Sequence, residues 1–132
     1  ETFDAAFGAR DKMYGRMNLF HWQNLKDAQV NFEVKPLKWL SLKAEFHQFR
    51  LAEREDAWYL NARDYRDKSG QSGDEVGREV DIVAVINFFP NHCIQAGFGH
   101  FRPDEFARAV ASDKSSNWVF MQWAYKFSRT IL

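Results

Sequence analysis

Arg78-Glu79-Val80-Asp81-Ile82-Val83-Ala84-Val85-Ile86-Asn87-Phe88 decides the fold class. Val80, Ile82, Ala84, Ile86 and Phe88 fall on one parity, and Glu79, Asp81, Val83, Val85 and Asn87 on the other. Alternation with period 2 places the two sets on opposite faces of a β-strand, whereas a helix would mix them. The face without a charge meets a dry environment, and the face with Glu79 and Asp81 meets water.

Four other segments repeat the pattern. In residues 27–35, Ala28, Val30, Phe32 and Val34 oppose Asp27, Gln29, Asn31, Glu33 and Lys35. In 40–49, Leu40, Leu42, Ala44 and Phe46 oppose Ser41, Lys43, Glu45 and His47. In 93–101, Ile94, Ala96 and Phe98 oppose Gln95, Gly97 and Gly99. In 117–127, Val119, Met121, Trp123, Tyr125 and Phe127 oppose Trp118, Phe120, Gln122, Ala124 and Lys126. The sequence therefore predicts an all-β chain, an antiparallel up-and-down meander of about five strands.

Composition removes several function classes. The 132 residues carry 18 Lys+Arg against 18 Asp+Glu, and this zero balance argues against a nucleic-acid partner. The longest purely aliphatic run, Ile82 to Ile86, is far short of the roughly 20 residues of a spanning helix, but hydropathy does not exclude a transmembrane barrel. The single cysteine, Cys93, rules out an internal disulfide and reads as an incidental thiol after a turn.

The connections alternate in length. Pro36-Leu37-Lys38-Trp39 and Phe89-Pro90-Asn91-His92 are tight turns, whereas 50–77 and 102–116 are long. Compact soluble domains seldom carry such long connections, while outer-membrane barrels pair short periplasmic turns with long extracellular loops. The strands of 9 to 11 residues suit a tilted bilayer crossing. The expectation is a single unit, 1–132, forming part of a transmembrane β-barrel in the bacterial outer membrane. Residues 1–26, 50–77 and 102–116 would be its extracellular loops. Five strands cannot close a barrel, so the chain is read as the C-terminal part of a larger one. Upstream strands, from the same or another chain, would complete it. Trp39, Tyr125 and Phe127 fit an aromatic girdle at the membrane interface.

Several stretches then resemble the alginate-export family of outer-membrane β-barrels. They are Phe7-Gly8-Ala9-Arg10-Asp11-Lys12-Met13-Tyr14-Gly15-Arg16-Met17-Asn18, and Asn24-Leu25 with the Lys35-Pro36 turn beyond it. Phe46-His47-Gln48-Phe49-Arg50-Leu51-Ala52, Asp56-Ala57-Trp58-Tyr59, Val76-Gly77-Arg78-Glu79-Val80-Asp81 and Gly97-Phe98-Gly99-His100-Phe101 follow in order. The resemblance implies a many-stranded barrel in a Gram-negative outer membrane, with passive export of an anionic polysaccharide as the founding activity. The inward positions here carry five acids (Asp27, Glu33, Glu45, Glu79, Asp81) against three lysines (Lys35, Lys43, Lys126), whereas an anion-selective pore wants a basic ring.

The candidate pore-lining and substrate-contacting residues are Lys43, Glu45, His47, Glu79, Asp81, Asn87, Gln95, Arg102, Trp118, Gln122 and Lys126. Lys43 and Glu45 are expected to neutralise each other in part, and Trp118 to meet a sugar near the outer rim. Phe106-Ala107-Arg108-Ala109-Val110 reads as a short helical turn. Ser41 and His47 lie on one strand and form no catalytic pair, so no enzyme is expected. Glu53-Arg54-Glu55-Asp56 lacks a calcium-loop pattern, and the four histidines show no ligand spacing, so neither cofactor nor metal is expected. Val83, pointing inward, is expected to accept arginine, and Ala84, facing lipid, to refuse it. The expected function is an outer-membrane channel or exporter for passive passage of a polar solute, a polysaccharide included, with outer-membrane lipid around it. The alternative is a soluble all-β ligand-binding module.

Overall fold

The computed structural model describes residues 14–19, 21, 23–60 and 63–127. Five long strands form one antiparallel sheet: β1 (Leu25–Leu37), β2 (Leu40–Leu51), β5 (Glu75–Phe88), β6 (His92–Pro103) and β7 (Ser116–Tyr125). Two short strands, β3 (Trp58–Tyr59) and β4 (Asp64–Tyr65), pair as a hairpin in the connection between β2 and β5. A six-residue helix, α1 (Glu105–Val110), follows β6 as its sequence suggests. The order β1-β2-β5-β6-β7 is the expected meander. Among the described residues, the sheet does not close into a barrel.

The strands run past the alternating segments. β5 starts at Glu75 because Leu51 N–H donates to the Asp74 carbonyl at 2.9 Å, extending the ladder beyond the register shift at Phe49/Arg50. β1 likewise continues to Leu37, with a register irregularity between Val34 and Leu37. Pro36, which has no N–H to donate, lies in that irregular stretch on an edge strand, where the loss of a ladder bond is tolerated. The β5–β6 turn holds Phe89 and Asn91 at φ 56° and 81°. Asparagine tolerates that left-handed region, while for phenylalanine it is strained.

The faces are inverted relative to a water-soluble sheet. His47, Glu79 and Asp81 are fully buried, yet Phe32 is 68% and Met121 78% exposed. Val30, Val34, Val80, Ile82, Val119 and Trp123 are exposed beside them, all on the apolar parity. The polar face is called the inner face below.

Both tight turns lie at one end of the sheet. At the other end, Phe49, Leu51, Trp58, Val76, Phe101, Phe106 and Ala107 form a small apolar core. Met17, Leu19, Tyr65 and Val110 pack against it. The segment before β1, the β2–β5 connection and the β6–β7 connection therefore meet in one cluster. Alternation could not reveal this cluster, because Trp58, Phe106 and Ala107 come from short elements inside the connections and meet the strand ends only in the fold.

Candidate functional site

The inner face is built by strand register. Glu45 pairs with Asp81, and His47 with Glu79, so four titratable side chains stand side by side on β2 and β5. Gly99 on β6 lies opposite Asp81. A Cβ at Gly99 would sit 2.6 Å from Asp81 Oδ1 and 2.8 Å from Met17 Cγ, so glycine leaves room for both. Gly97 opposes Phe120, whose ring lies where its Cβ would be.

A strap, residues 14–19, crosses this face. The Arg16 guanidinium donates from Nε to Glu45 Oε2 at 2.8 Å and from Nη2 to Glu45 Oε1 at 2.6 Å. Its backbone N–H donates to Asp81 Oδ2 at 3.1 Å, and Met17 N–H to Glu79 Oε1 at 3.0 Å. Gly15 at φ 75° and Asn18 at φ 54° bend the chain on either side of these donors. A Cβ at Gly15 would collide with the Glu79 carboxylate, so glycine is also required sterically. The Arg16 and Glu45 side chains are only 9% and 13% exposed, which limits solvent screening of this bidentate pair. Burial, and then the Asp27 carboxylate, push the Tyr14 phenol up.

His47 is fixed from two sides. Its Nδ1 lies 2.8 Å from Asp27 Oδ2, and its ring stacks on Phe49 with centroids 5.5 Å apart. One layer toward the tight turns, Lys43 Nζ lies 3.6 Å from Glu33 Oε2, and Ser41 Oγ donates to Glu33 Oε1 at 2.8 Å. The expected Lys43–Glu45 neutralisation is therefore replaced by two separate pairs, Arg16–Glu45 and Lys43–Glu33.

Gln95, Trp118 and Gln122 come together with Arg16, Met17, Asn18 and Phe120 around a cleft of about 270 Å³. The Trp118 and Phe120 rings stack at 4.6 Å, a flat apolar surface beside two amides. Asn87 lies opposite Cys93 at the tight-turn end of the same face.

One predicted lining residue stands elsewhere. Arg102 is on the parity of Phe98 and pairs in register with Arg78, so it projects from the outer face. The cause is the extra length of β6, which runs to Pro103 where a loop was expected to begin. Lys126 keeps the parity of Trp118 and Gln122 one position past the end of β7, its N–H donating to the Asn91 carbonyl at 2.9 Å beside the tight turn. Val83 faces inward but is only 1% exposed, so an arginine there would have to displace its neighbours. The expectation that it accepts one is corrected.

Sequence reasoning missed the strap. The available signal was the pair Gly15 and Asn18 around two residues, a turn cue without a partner.

A protein-family model for alginate export matches residues 1–121. The chain belongs to the alginate export family. No curated protein and no solved structure matched the chain in the same comparisons.

Membership gives meaning to the inverted faces, since an export barrel meets lipid outside and solute inside. The cleft beside Trp118 and the strap over Glu79 and Asp81 share the inner face. Among the described residues, the five acids Asp27, Glu33, Glu45, Glu79 and Asp81 outnumber the four inner-face cations Arg16, Lys35, Lys43 and Lys126.

Proposed function

We propose that this chain forms part of the wall of an outer-membrane channel through which a polar solute, a polysaccharide included, passes without energy input. The single observation that carries the reading is the inverted sheet, with Glu79 and Asp81 buried while Phe32 and Met121 stand exposed. A soluble ligand-binding sheet would have the opposite arrangement. The exposed apolar side chains span all five long strands, a band beyond the few hundred Å² a soluble monomer exposes. The strands of 10 to 14 residues are long enough to cross the hydrocarbon at a tilt and project beyond it.

The edges β1 and β7 each pair on one side only among the described residues. Long unpaired edges in lipid are not viable, so further strands close the wall in this reading. The three long connections face outward from the cell and the tight turns face the periplasm. The solute passes along the inner face, past Lys43, Glu45, Gln95, Trp118 and Gln122. Trp118 and Phe120 offer a stacking surface for a sugar ring, and the strap narrows the passage. No covalent chemistry is required, and the inner face acts by width and charge.

The test is reconstitution of the folded full-length protein in planar lipid bilayers. Ohmic single-channel steps are expected, with reversible blockade by added oligosaccharide. Folded protein that inserts without raising conductance above that of the bare bilayer would overturn the channel reading.

A further inference from the structure

The acids of the inner face outnumber the cations of the strap, of which Arg16 is the one among residues 14–19. Asp27, Glu45, Glu79 and Asp81 meet one fixed guanidinium, Arg16, among the described residues. Yet Asp81 Oδ1, Glu79 Oε2 and His47 Nε2 are each buried with no hydrogen-bond partner among those residues. His47, Glu79 and Asp81 are all completely buried. Buried polar atoms normally have partners, and three together in one cluster require an explanation. Glu45, His47 and Asp81 each offer a ligand atom, and these atoms lie within 4.8 Å of one another.

We propose that Glu45, His47 and Asp81 bind a divalent first-row transition cation against the channel wall. The histidine makes the case beyond a mere acidic cluster. Its Nδ1 is held by Asp27, which leaves Nε2 as the nitrogen that can coordinate. Carboxylates commonly orient metal-binding histidines in this way and raise their basicity. Stacking on Phe49 fixes the ring plane. Imidazole with carboxylates suits zinc, manganese or iron(II) better than magnesium, whose ligands are all oxygen.

The geometry asks for a small contraction. Bonds of about 2.0–2.2 Å place ligand atoms roughly 3–3.5 Å apart, so each donor moves by about an ångström. Glu45 supplies its share through side-chain rotation. Asp81 keeps its Oδ2 on the Arg16 N–H and gives Oδ1, while a Glu45 oxygen can bridge the guanidinium and the ion. The cation and the strap thus share two carboxylates. A bound ion would tighten the strap across the face that the preceding section reads as the passage, although the site itself does not depend on transport.

The full-length protein, purified in detergent and stripped with a chelator, is titrated with Zn²⁺, Mg²⁺ and Co²⁺. The expected result is one Zn²⁺ per chain, a higher melting temperature with Zn²⁺ and none with Mg²⁺, and a visible Co²⁺ spectrum. His47→Gln and Asp81→Asn should abolish these signals, while Asp27→Asn should weaken Zn²⁺ binding by about 10- to 100-fold. Glu33→Gln, an inner-face acid outside the cluster, should bind as the native protein does. Folding of each variant is checked by heat-modifiable gel mobility. The Co²⁺ spectrum and the melting shift need only native protein, so a misfolded variant does not stall the test. Absence of both signals in native protein overturns the site, as does Zn²⁺ binding that survives His47→Gln and Asp81→Asn. Channel conductance, measured separately, is a distinct outcome.

Discussion

Replacing Ile82 with arginine separates a lipid-facing sheet from a water-facing one, because the two predict opposite signs. Ile82 is 54% exposed on the apolar parity of β5. In water, exchanging such a residue for arginine would be neutral or mildly favourable. In lipid, arginine at the bilayer midplane costs about 2–4 kcal/mol, falling to about 0–1 near the interface. β5 runs from Glu75 to Phe88, so its centre falls between Asp81 and Ile82. At about 3.4 Å per residue and a tilt near 45°, each residue spans roughly 2.4 Å of depth. Ile82 then lies about 1 Å from the midplane, and Ile86 about 11 Å, close to the edge of a band about 25 Å tall. Ile82→Arg should therefore weaken folding into lipid vesicles by about 30- to 700-fold, at a decade per 1.4 kcal/mol. Ile86→Arg should cost under about 1 kcal/mol. Gln29→Arg, on the inner face in register with His47, should be tolerated. The assay is equilibrium folding from urea, read by gel mobility and tryptophan fluorescence. An Ile82→Arg protein as stable as native, or equal costs at 82 and 86, would refute the placement of this face in lipid.

Arg16→Ala should free the strap and raise single-channel conductance, while leaving Glu45 without its partner at a cost of about 3–5 kcal/mol. A conductance equal to native would remove the strap as a constriction. Gly97→Ala should cost about 1–3 kcal/mol by pushing the Phe120 ring off its seat. Adding Phe120→Ala should recover part of that loss in the same folding assay. Side-chain hydrogen bonds from Ser69 and Ser72 hold the Asp67 carboxyl well below the usual carboxylate range. The folded value is depressed, so the contribution is present above about pH 3.9 and is lost only as pH falls through the lower folded value. Hydrogen-exchange protection in 67–73 should thus stay constant from neutral pH down to the ordinary carboxylate range, and fall on Asp67→Asn throughout that range. Trp123, exposed on the outer face, should be quenched by brominated lipid, and Trp118, on the inner face, by aqueous acrylamide. The reverse pattern would contradict the assignment of faces.

The sheet was legible because strand periodicity is local. Val80, Ile82 and Ala84 declare their face from within one segment, and the five long strands share this property. The strap was not legible, since Arg16 N–H and Asp81 are separated by 65 positions and nothing in either stretch names the other. The Glu45–His47–Asp81 cluster was hidden for the same reason. Its members show no ligand spacing in one segment and meet only through the β2–β5 register. Arg102 was misplaced because a strand's end depends on its neighbour: β6 continues while Val76 and Gly77 on β5 still offer partners. The Asp104 N–H donation to the Val76 carbonyl at 3.0 Å closes that ladder.

The long-range seating of the strap also bears on the order of assembly. Neighbouring long strands pair in sequence, each adding to the last through a short or moderate closure. The strap's docking on Glu79 and Asp81 spans 62 to 65 positions and needs β2 and β5 already paired. Closure entropy and contact order both place such a step late. A newly inserted molecule is thus expected to pass through a stage with its sheet complete and its acidic wall bare. During that stage it would leak more than the mature form, so the strap would act in biogenesis as a closing latch.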